Sequence, residues 1–168
     1  MNAKREVLLR YSILLILAFP DLWLFYTVFT PLTITPSYYL INLFFPSQIS
    51  GSMIISSYGV IELIDACIAG SAYYLLLILN LTTPLIKLRT RIKAIACSLT
   101  AFLIVNIIRI FLFSALFFRG YEFFDTAHLI VWYGVSTLLV LVIWIGEIKI
   151  FKIKAIPIYT DIRSIIKG

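Results

Sequence analysis

Charged side chains are scarce in this chain of 168 residues, since Asp, Glu, Lys and Arg together make up only 13% of it. Hydrophobic residues make up 62%, and the mean hydropathy is +1.04. Soluble domains have a very different balance of polar and apolar residues. The composition therefore excludes an ordinary soluble protein and predicts an integral membrane protein, with length for one small helical bundle.

Histidine and cysteine are also rare, because the chain has one His, His128, and two Cys, Cys67 and Cys97. We expect no cofactor and no metal ion. The net charge of +6 would suggest a nucleic-acid partner for a soluble protein. Here the basic residues lie between apolar runs, where they report membrane orientation instead, and nucleic acid is not an expected partner.

Four apolar segments are candidate membrane spans, at about residues 11–30, 65–86, 94–118 and 128–148. The first contains no small-residue cleavage site after its apolar run, so we expect it to stay attached rather than act as a signal peptide. The predicted fold class is an all-α integral membrane protein with about four transmembrane helices, forming a single domain over residues 1–168.

An external segment is predicted between the first two spans, because residues 31–64 contain no Lys or Arg and are rich in Pro, Gly, Ser and Thr. We expect turns where its prolines and glycines lie, at Pro31, Pro36, Pro46, Gly51 and Gly59. We also expect a short interfacial helix over 38–45 and a hairpin that joins 53–55 to 60–61. A re-entrant segment is the alternative. The stretch 156–166 is predicted to form another short interfacial helix.

The basic residues predict the orientation of the bundle. Three precede the first span, four join the second to the third, and five follow the fourth, which accounts for twelve of the fourteen in the chain. By the positive-inside rule these segments face the cytoplasm, so both termini are expected there. The predicted location is the plasma membrane, with residues 119–126 outside.

Cys67, Arg109 and His128 come to a similar membrane depth when each is measured from the nearest cytoplasmic basic residue. At about 1.5 Å per helical residue the distances are about 30, 24 and 32 Å, which places all three toward the outer face. Cys97 lies only about 6 Å from the cytoplasmic side by the same measure. We therefore expect no disulfide between the two cysteines.

Each of these residues has a structural alternative. A cysteine in a membrane helix is usually a small apolar filler, and Arg109 inside the third span could be paired with Asp21 or an outer carboxylate. His128 alone would be an interfacial residue. Their agreement in depth instead favours thiol acyl transfer, with Cys67 as nucleophile, a cation that stabilises the developing negative charge, and an acid or base that moves protons.

Two carboxylates flank the predicted site. Asp65 lies two residues before Cys67, near the start of the second span. Asp125 lies shortly before His128, where it could cap the following helix or orient the imidazole. Capping is the favoured role.

Three motifs occur in a fixed order: Glu-Leu-Ile-Asp-Ala-Cys-Ile-Ala-Gly at 62–70, Asn-Ile-Ile-Arg-Ile at 106–110, and His128 followed by Gly134. This order resembles the exosortase and archaeosortase pattern of an acidic-Ala-Cys-Ser-Gly-like motif, Asn-x-x-Arg and a final His. The likeness covers about residues 50–150 and includes the hairpin before Cys67. The chain departs from the pattern at Ile68, where the family commonly has Ser, and in its few amino-terminal spans.

The resemblance implies a membrane cysteine transpeptidase or protease, with Cys67 as nucleophile, Arg109 as stabiliser, His128 as third member and Asn106 in support. Its substrates would be exported proteins that end in a short motif, a transmembrane helix and a basic cluster. The enzyme would cut them on the outer face and transfer the product to an acceptor such as a membrane lipid.

Two alternatives from other functional classes remain open. A non-catalytic assembly subunit would also contain polar residues near the outer face, and a small transporter would use Arg109 and Asp21 as a pair at mid-membrane. A transporter needs a polar path through both leaflets. The inner halves of spans two to four offer few polar candidates, namely Asn80, Thr82, Thr83, Ser98 and Thr100.

Overall fold

The computed structural model describes residues 3–84, 86–122, 124, 126, 130, 134 and 136–153. Its elements follow the order α1 (Ala3–Ala18), α2 (Trp23–Asn42), β1 (Ser47–Ser50), β2 (Met53–Ser56), β3 (Gly59–Glu62), α3 (Asp65–Ile68), α4 (Gly70–Leu81), α5 (Leu88–Phe118) and α6 (Ser136–Phe151). The prediction that helices dominate is confirmed. The three-stranded sheet corrects the all-α class.

Within the described residues, one helix is by itself long and apolar enough to cross a membrane. This is α5, which has 31 residues and starts at Leu88, six residues before the predicted third span. Helices α1 and α2 pass the same test only when taken together as a bent pair, and the apolar helix over Asp65–Leu81 is shorter. The described helices therefore do not form four separate spans. Residues 128 and 129, which begin the predicted fourth span, lie outside the described residues.

The predicted first span is wrong as a single helix, because the chain bends between α1 and α2. The axes of the two helices differ by 67°. Pro20 cannot continue a helical hydrogen-bond ladder, and Asp21 and Leu22 adopt positive φ angles of 46° and 57°. Residues 19–22 therefore end one helix and start another.

The turns predicted around Pro31 and Pro36 are also wrong, since both prolines lie inside α2. Both face outward, whereas Thr33, Ile34 and Ser37 on the other side of the helix are buried. Packing of the buried face maintains the helix, although each proline lacks an N–H donor. The predicted interfacial helix over 38–45 is the end of α2 rather than a separate element.

The predicted hairpin is present as β2 and β3, which pair antiparallel with Ser56 opposite Gly59. A strand that the sequence did not predict, β1, adds to the other edge of β2, so the sheet order is β1-β2-β3. Gly59 has a φ of +145°, and a Cβ there would lie 2.9 Å from Cε1 of Phe117. The turn therefore lies directly against the end of α5.

The predicted second span breaks into α3 and α4 at Ala69, which has a φ of 61°. Gly70 follows, and a Cβ on Gly70 would lie 2.7 Å from Cζ of Tyr26. The tyrosine ring of α2 thus packs directly on the backbone where α4 begins. This break determines the position of Cys67, which lies in the single turn of α3.

Two hydrophobic clusters form the interior. The first joins α1, α2, α4, α5 and α6, with Leu14, Phe25, Tyr73, Leu76, Leu77, Leu81, Phe102 and Val140. The second joins the sheet to α2, α3 and α5, with Ile34, Ile41, Phe45, Ile54, Leu63, Ile68, Ile110 and Phe118. On α5 the two clusters meet between Phe102 and Ile110, where Asn106 lies buried.

Candidate active site around Cys67

The helix break at Ala69 leaves backbone carbonyls of α3 without the helical partner that a continuous helix would supply. A side chain of α5 donates hydrogen bonds to these carbonyls instead. Asn106 Nδ2 donates to the carbonyl oxygen of Cys67 at 2.9 Å and lies 3.4 Å from that of Ile68. The asparagine is 1% exposed, so its amide replaces the missing backbone donors inside the protein.

Arg109 binds the same turn from the next position on the same helix face, since residues three apart on a helix are neighbours. Its Nη2 lies 3.4 Å from the carbonyl oxygen of Cys67, and its Nη1 donates to Ser136 Oγ at 2.8 Å. The guanidinium therefore links α3, α5 and the first residue of α6. Its remaining N–H groups make no hydrogen bond to another described residue.

Cys67 lies in the wall of a cavity of about 270 Å³ between the sheet, α3 and α5. Arg109 forms part of the same wall, and Glu62 lies at the edge contributed by the sheet. Most of the lining is apolar and includes the aromatic rings of Phe113, Phe117 and Phe124. A thiol and a guanidinium thus face a largely hydrophobic space.

A second cavity, of about 420 Å³, lies on the other side of Arg109. Polar groups of Tyr26, Asp65 and Ser71 contribute to its lining, together with Ser136 and Thr137 of α6. Arg109 and Ala66 line both cavities. The guanidinium therefore lies between an apolar space that contains Cys67 and a more polar space that contains Asp65.

The structure brings together three of the six residues that the sequence singled out, Cys67, Asn106 and Arg109. Asp65 is exposed at the start of α3 and faces the second cavity. His128 and Asp125 lie outside the described residues. The alternative pairing of Arg109 with Asp21 is not present, because the hydrogen bonds of Arg109 go to Ser136 and Cys67.

The chemistry of this arrangement is that of a positioned thiol beside a fixed cation. The Asn106 amide and the Arg109 guanidinium hold the backbone carbonyl of Cys67, so the backbone from which the thiol projects is fixed next to Arg109. Both cysteines are free, and Cys97 is exposed on α5. Among the residues that the structure describes, no group of three or more His, Cys, Asp or Glu side chains could hold a metal ion.

Ser136 is the contact that sequence reasoning missed. A serine among the apolar residues of a predicted span shows no motif spacing, and only the tertiary contact with Arg109 reveals its role. The aromatic lining of the first cavity was missed for a similar reason. Phe113 and Phe117 read as ordinary span residues, although their spacing of four does place them on one helix face.

Comparison with models of protein families, with curated proteins and with solved structures finds no match to this chain.

Proposed function

We propose that the protein is a membrane-embedded cysteine transpeptidase or protease that cleaves a C-terminal sorting signal of exported proteins on the outer membrane face. The observation that supports this most directly is the convergence of Asn106 and Arg109 on the carbonyl of Cys67, beside a cavity that the thiol lines. Such contacts determine where a nucleophile sits relative to a cation, as acyl transfer requires.

Placement in a membrane is supported by the outer surface of α5. In its most apolar stretch only 28% of the residues are buried, whereas the core helix of a soluble protein is mostly buried. Ile104, Ile108 and Leu112 form an exposed stripe at a spacing of four residues. A continuous apolar stripe of this kind favours contact with lipid.

The proposed reaction starts with attack of the Cys67 thiolate on the carbonyl carbon of the scissile amide. A C–S bond forms and the carbonyl oxygen becomes an oxyanion, which the N–H groups of Arg109 that do not bind Cys67 or Ser136 would stabilise. The C–N bond then breaks, and the leaving amine takes a proton from His128 acting as general acid. An acceptor hydroxyl or amine, such as one in the headgroup of a membrane lipid, then attacks the thioester carbonyl and gives its proton back to His128, and the C–S bond breaks to release the Cys67 thiolate.

The proposed topology is that of a multi-pass protein of the plasma membrane with both termini in the cytoplasm. The distribution of basic residues supports it, because twelve of the fourteen lie within residues 4–10, 87–93 and 149–167. In this orientation α3 and the sheet face outward. The partners would be exported proteins with a motif, a helix and a basic tail, together with a membrane lipid.

The decisive experiment compares Cys67→Ala with Cys97→Ala in cells that express a substrate with such a C-terminal signal. We expect the Cys67 variant to leave the precursor uncut and the Cys97 variant to process it normally. A hydroxylamine-sensitive adduct should form on the wild-type protein and on Cys97→Ala only. Full processing by a well-expressed Cys67→Ala protein would exclude the thiol mechanism and favour a non-catalytic assembly subunit.

A further inference from the structure

A second buried polar group lies away from Cys67, where α4, α5 and α6 pack together. It consists of Asn80 on α4, Ser98 on α5 and Glu147 on α6, which are 1%, 1% and 3% exposed. The sequence analysis identified only uncharged polar residues in this part of the bundle and did not single out Glu147, which falls within the predicted fourth span. The structure adds a carboxyl group that is shielded from solvent.

Asn80 and Ser98 supply the side-chain hydrogen-bond donors of this group. The Asn80 side chain has two N–H groups, of which one donates to Leu76 O at 3.1 Å and one to Glu147 Oε2 at 2.9 Å. Ser98 Oγ lies 3.5 Å from Asn80 Nδ2, and its hydroxyl donates to Ile95 O at 3.1 Å. Both N–H groups of Asn80 are therefore used, whereas the single hydroxyl of Ser98 has Ile95 O and the Glu147 carboxyl group as alternative acceptors.

Two acceptors remain without a donor, Asn80 Oδ1 and Glu147 Oε1. They belong to the two side chains that the 2.9 Å hydrogen bond already joins. Buried oxygens of this kind are normally hydrogen-bonded. One proton on Glu147 Oε1 would supply the missing donor, because the resulting O–H can donate to Asn80 Oδ1 while Asn80 Nδ2 donates to Oε2.

We propose that Glu147 binds a proton and pairs with Asn80 as a cyclic carboxylic acid–carboxamide couple that holds α4 against α6. Protonation forms one O–H bond at Oε1 with a proton taken from water, and the carboxyl group becomes neutral. The couple then consists of two hydrogen bonds in opposite directions between the same two side chains. Its ligand is the proton, and loss of that proton leaves a buried negative charge.

The charged groups around Glu147 fit a neutral carboxyl. From α5, Arg91 Nη1 donates to Asn80 O at 2.5 Å and lies 3.3 Å from Leu81 O, and from α1, Arg10 Nη1 donates to Leu81 O at 2.9 Å. Both guanidinium groups thus bind the last carbonyls of α4. Helix α4 has no charged residue, and Arg89, Lys93 and Lys149 on the packed helices are exposed.

The proposal predicts how stability depends on pH. At neutral pH Glu147 would hold a proton in the folded state and would be ionised in the unfolded state. The free energy of unfolding should therefore decrease as the pH rises. The unfolding equilibrium constant should increase by about tenfold per pH unit where the two states differ by one proton. A carboxamide mimics a protonated carboxyl, so Glu147→Gln should remove this dependence and keep the pairing with Asn80.

The test uses the full chain in detergent or lipid, with Glu6→Gln as the control because Glu6 is an exposed glutamate on α1. Infrared spectra should show the carbonyl stretch of a protonated carboxylic acid at neutral pH, shifted in heavy water. The band should disappear in Glu147→Gln and persist in Glu6→Gln. Thermal unfolding from pH 6 to pH 9 should shift in the wild type and in Glu6→Gln, and stay constant in Glu147→Gln.

Two outcomes would overturn the proposal. A carboxylate band assigned to Glu147 at neutral pH, with stability that depends on Na⁺ or K⁺, would indicate a cation instead of a proton. A carboxylate band without dependence on salt would indicate an ion pair with a neighbouring arginine such as Arg91. Because neither Cys67 nor substrate processing enters these measurements, their result is independent of the proposed activity.

Discussion

Asn106 donates a hydrogen bond of 2.9 Å to the backbone carbonyl of Cys67, across 39 residues of sequence. The contact exists because the helix breaks at Ala69 and exposes that carbonyl to α5. It couples two of the three sequence motifs, since Asn106 and Arg109 belong to one and Cys67 lies in another. The predictions below test this junction first.

Replacement of Asn106 should damage both folding and the site. Asn106→Ala leaves the buried Cys67 carbonyl with only the longer Arg109 contact, so we expect a loss of about 1–3 kcal/mol in the free energy of unfolding. Asn106→Asp should cost more, because a carboxylate places an acceptor against two carbonyl oxygens. Denaturant unfolding in detergent measures both, and equal stability of the aspartate variant and the wild type would contradict the contact.

Replacement of Arg109 by Lys tests whether geometry or charge matters. The lysine keeps a positive charge but cannot bind Ser136, Cys67 and a ligand in one plane. Loss of a hydrogen bond to a charged group is worth about 1.5–3 kcal/mol, which corresponds to a decrease in processing of about tenfold to one hundred and fifty fold. The rate of precursor cleavage measures this, and normal cleavage would show that a point charge suffices.

The backbone break offers a stabilising change. Ala69 has a φ of 61°, a conformation that costs a residue with a Cβ about 1–2 kcal/mol. Glycine adopts it without that cost, so Ala69→Gly should raise the free energy of unfolding by roughly 1 kcal/mol after the extra chain entropy of glycine is included. Ala72→Gly, inside α4, is the control and should destabilise the protein.

The contact between Gly70 and Tyr26 predicts energetic coupling. Gly70→Ala places a methyl group 2.7 Å from the tyrosine ring, and overpacking of this kind typically costs about 1–3 kcal/mol. Tyr26→Ala removes the ring, so the alanine at position 70 should cost far less in that background. A double-mutant cycle on unfolding free energies measures the coupling. Additive effects would show that the ring does not press on α4.

The proposed orientation predicts which introduced cysteines react with a membrane-impermeant thiol reagent in intact cells. In a background with both natural cysteines replaced by alanine, Glu122→Cys should react and Arg89→Cys should react only after lysis. Both positions are exposed on the protein, so a difference in labelling would reflect the side of the membrane and not burial within the protein. Labelling in the opposite order would reverse the orientation and place the Cys67 site on the cytoplasmic side.

The errors of the sequence reading have one physical origin. Pro31 and Pro36 are strong local signals for turns, yet α2 continues through both because its buried face packs on the rest of the bundle. The break at Ala69 has no glycine or proline at the residue with positive φ, so local propensity favoured a continuous second span. Arg91 looked like a loop residue but lies buried against the end of α4. Tertiary contacts outweighed local preference at each position.

The sequence by itself determined the properties that depend on composition and spacing: a mostly helical apolar chain, the long helix α5, the hairpin of β2 and β3, and the helical neighbours Asn106 and Arg109. These follow from local periodicity and need no knowledge of the fold. Only the tertiary structure decided that α3 ends after one turn, that Cys67 presents its carbonyl to α5, and that Glu147 meets Asn80. Each of these is a contact between segments far apart in the chain, where packing and hydrogen-bond satisfaction choose among locally equivalent conformations.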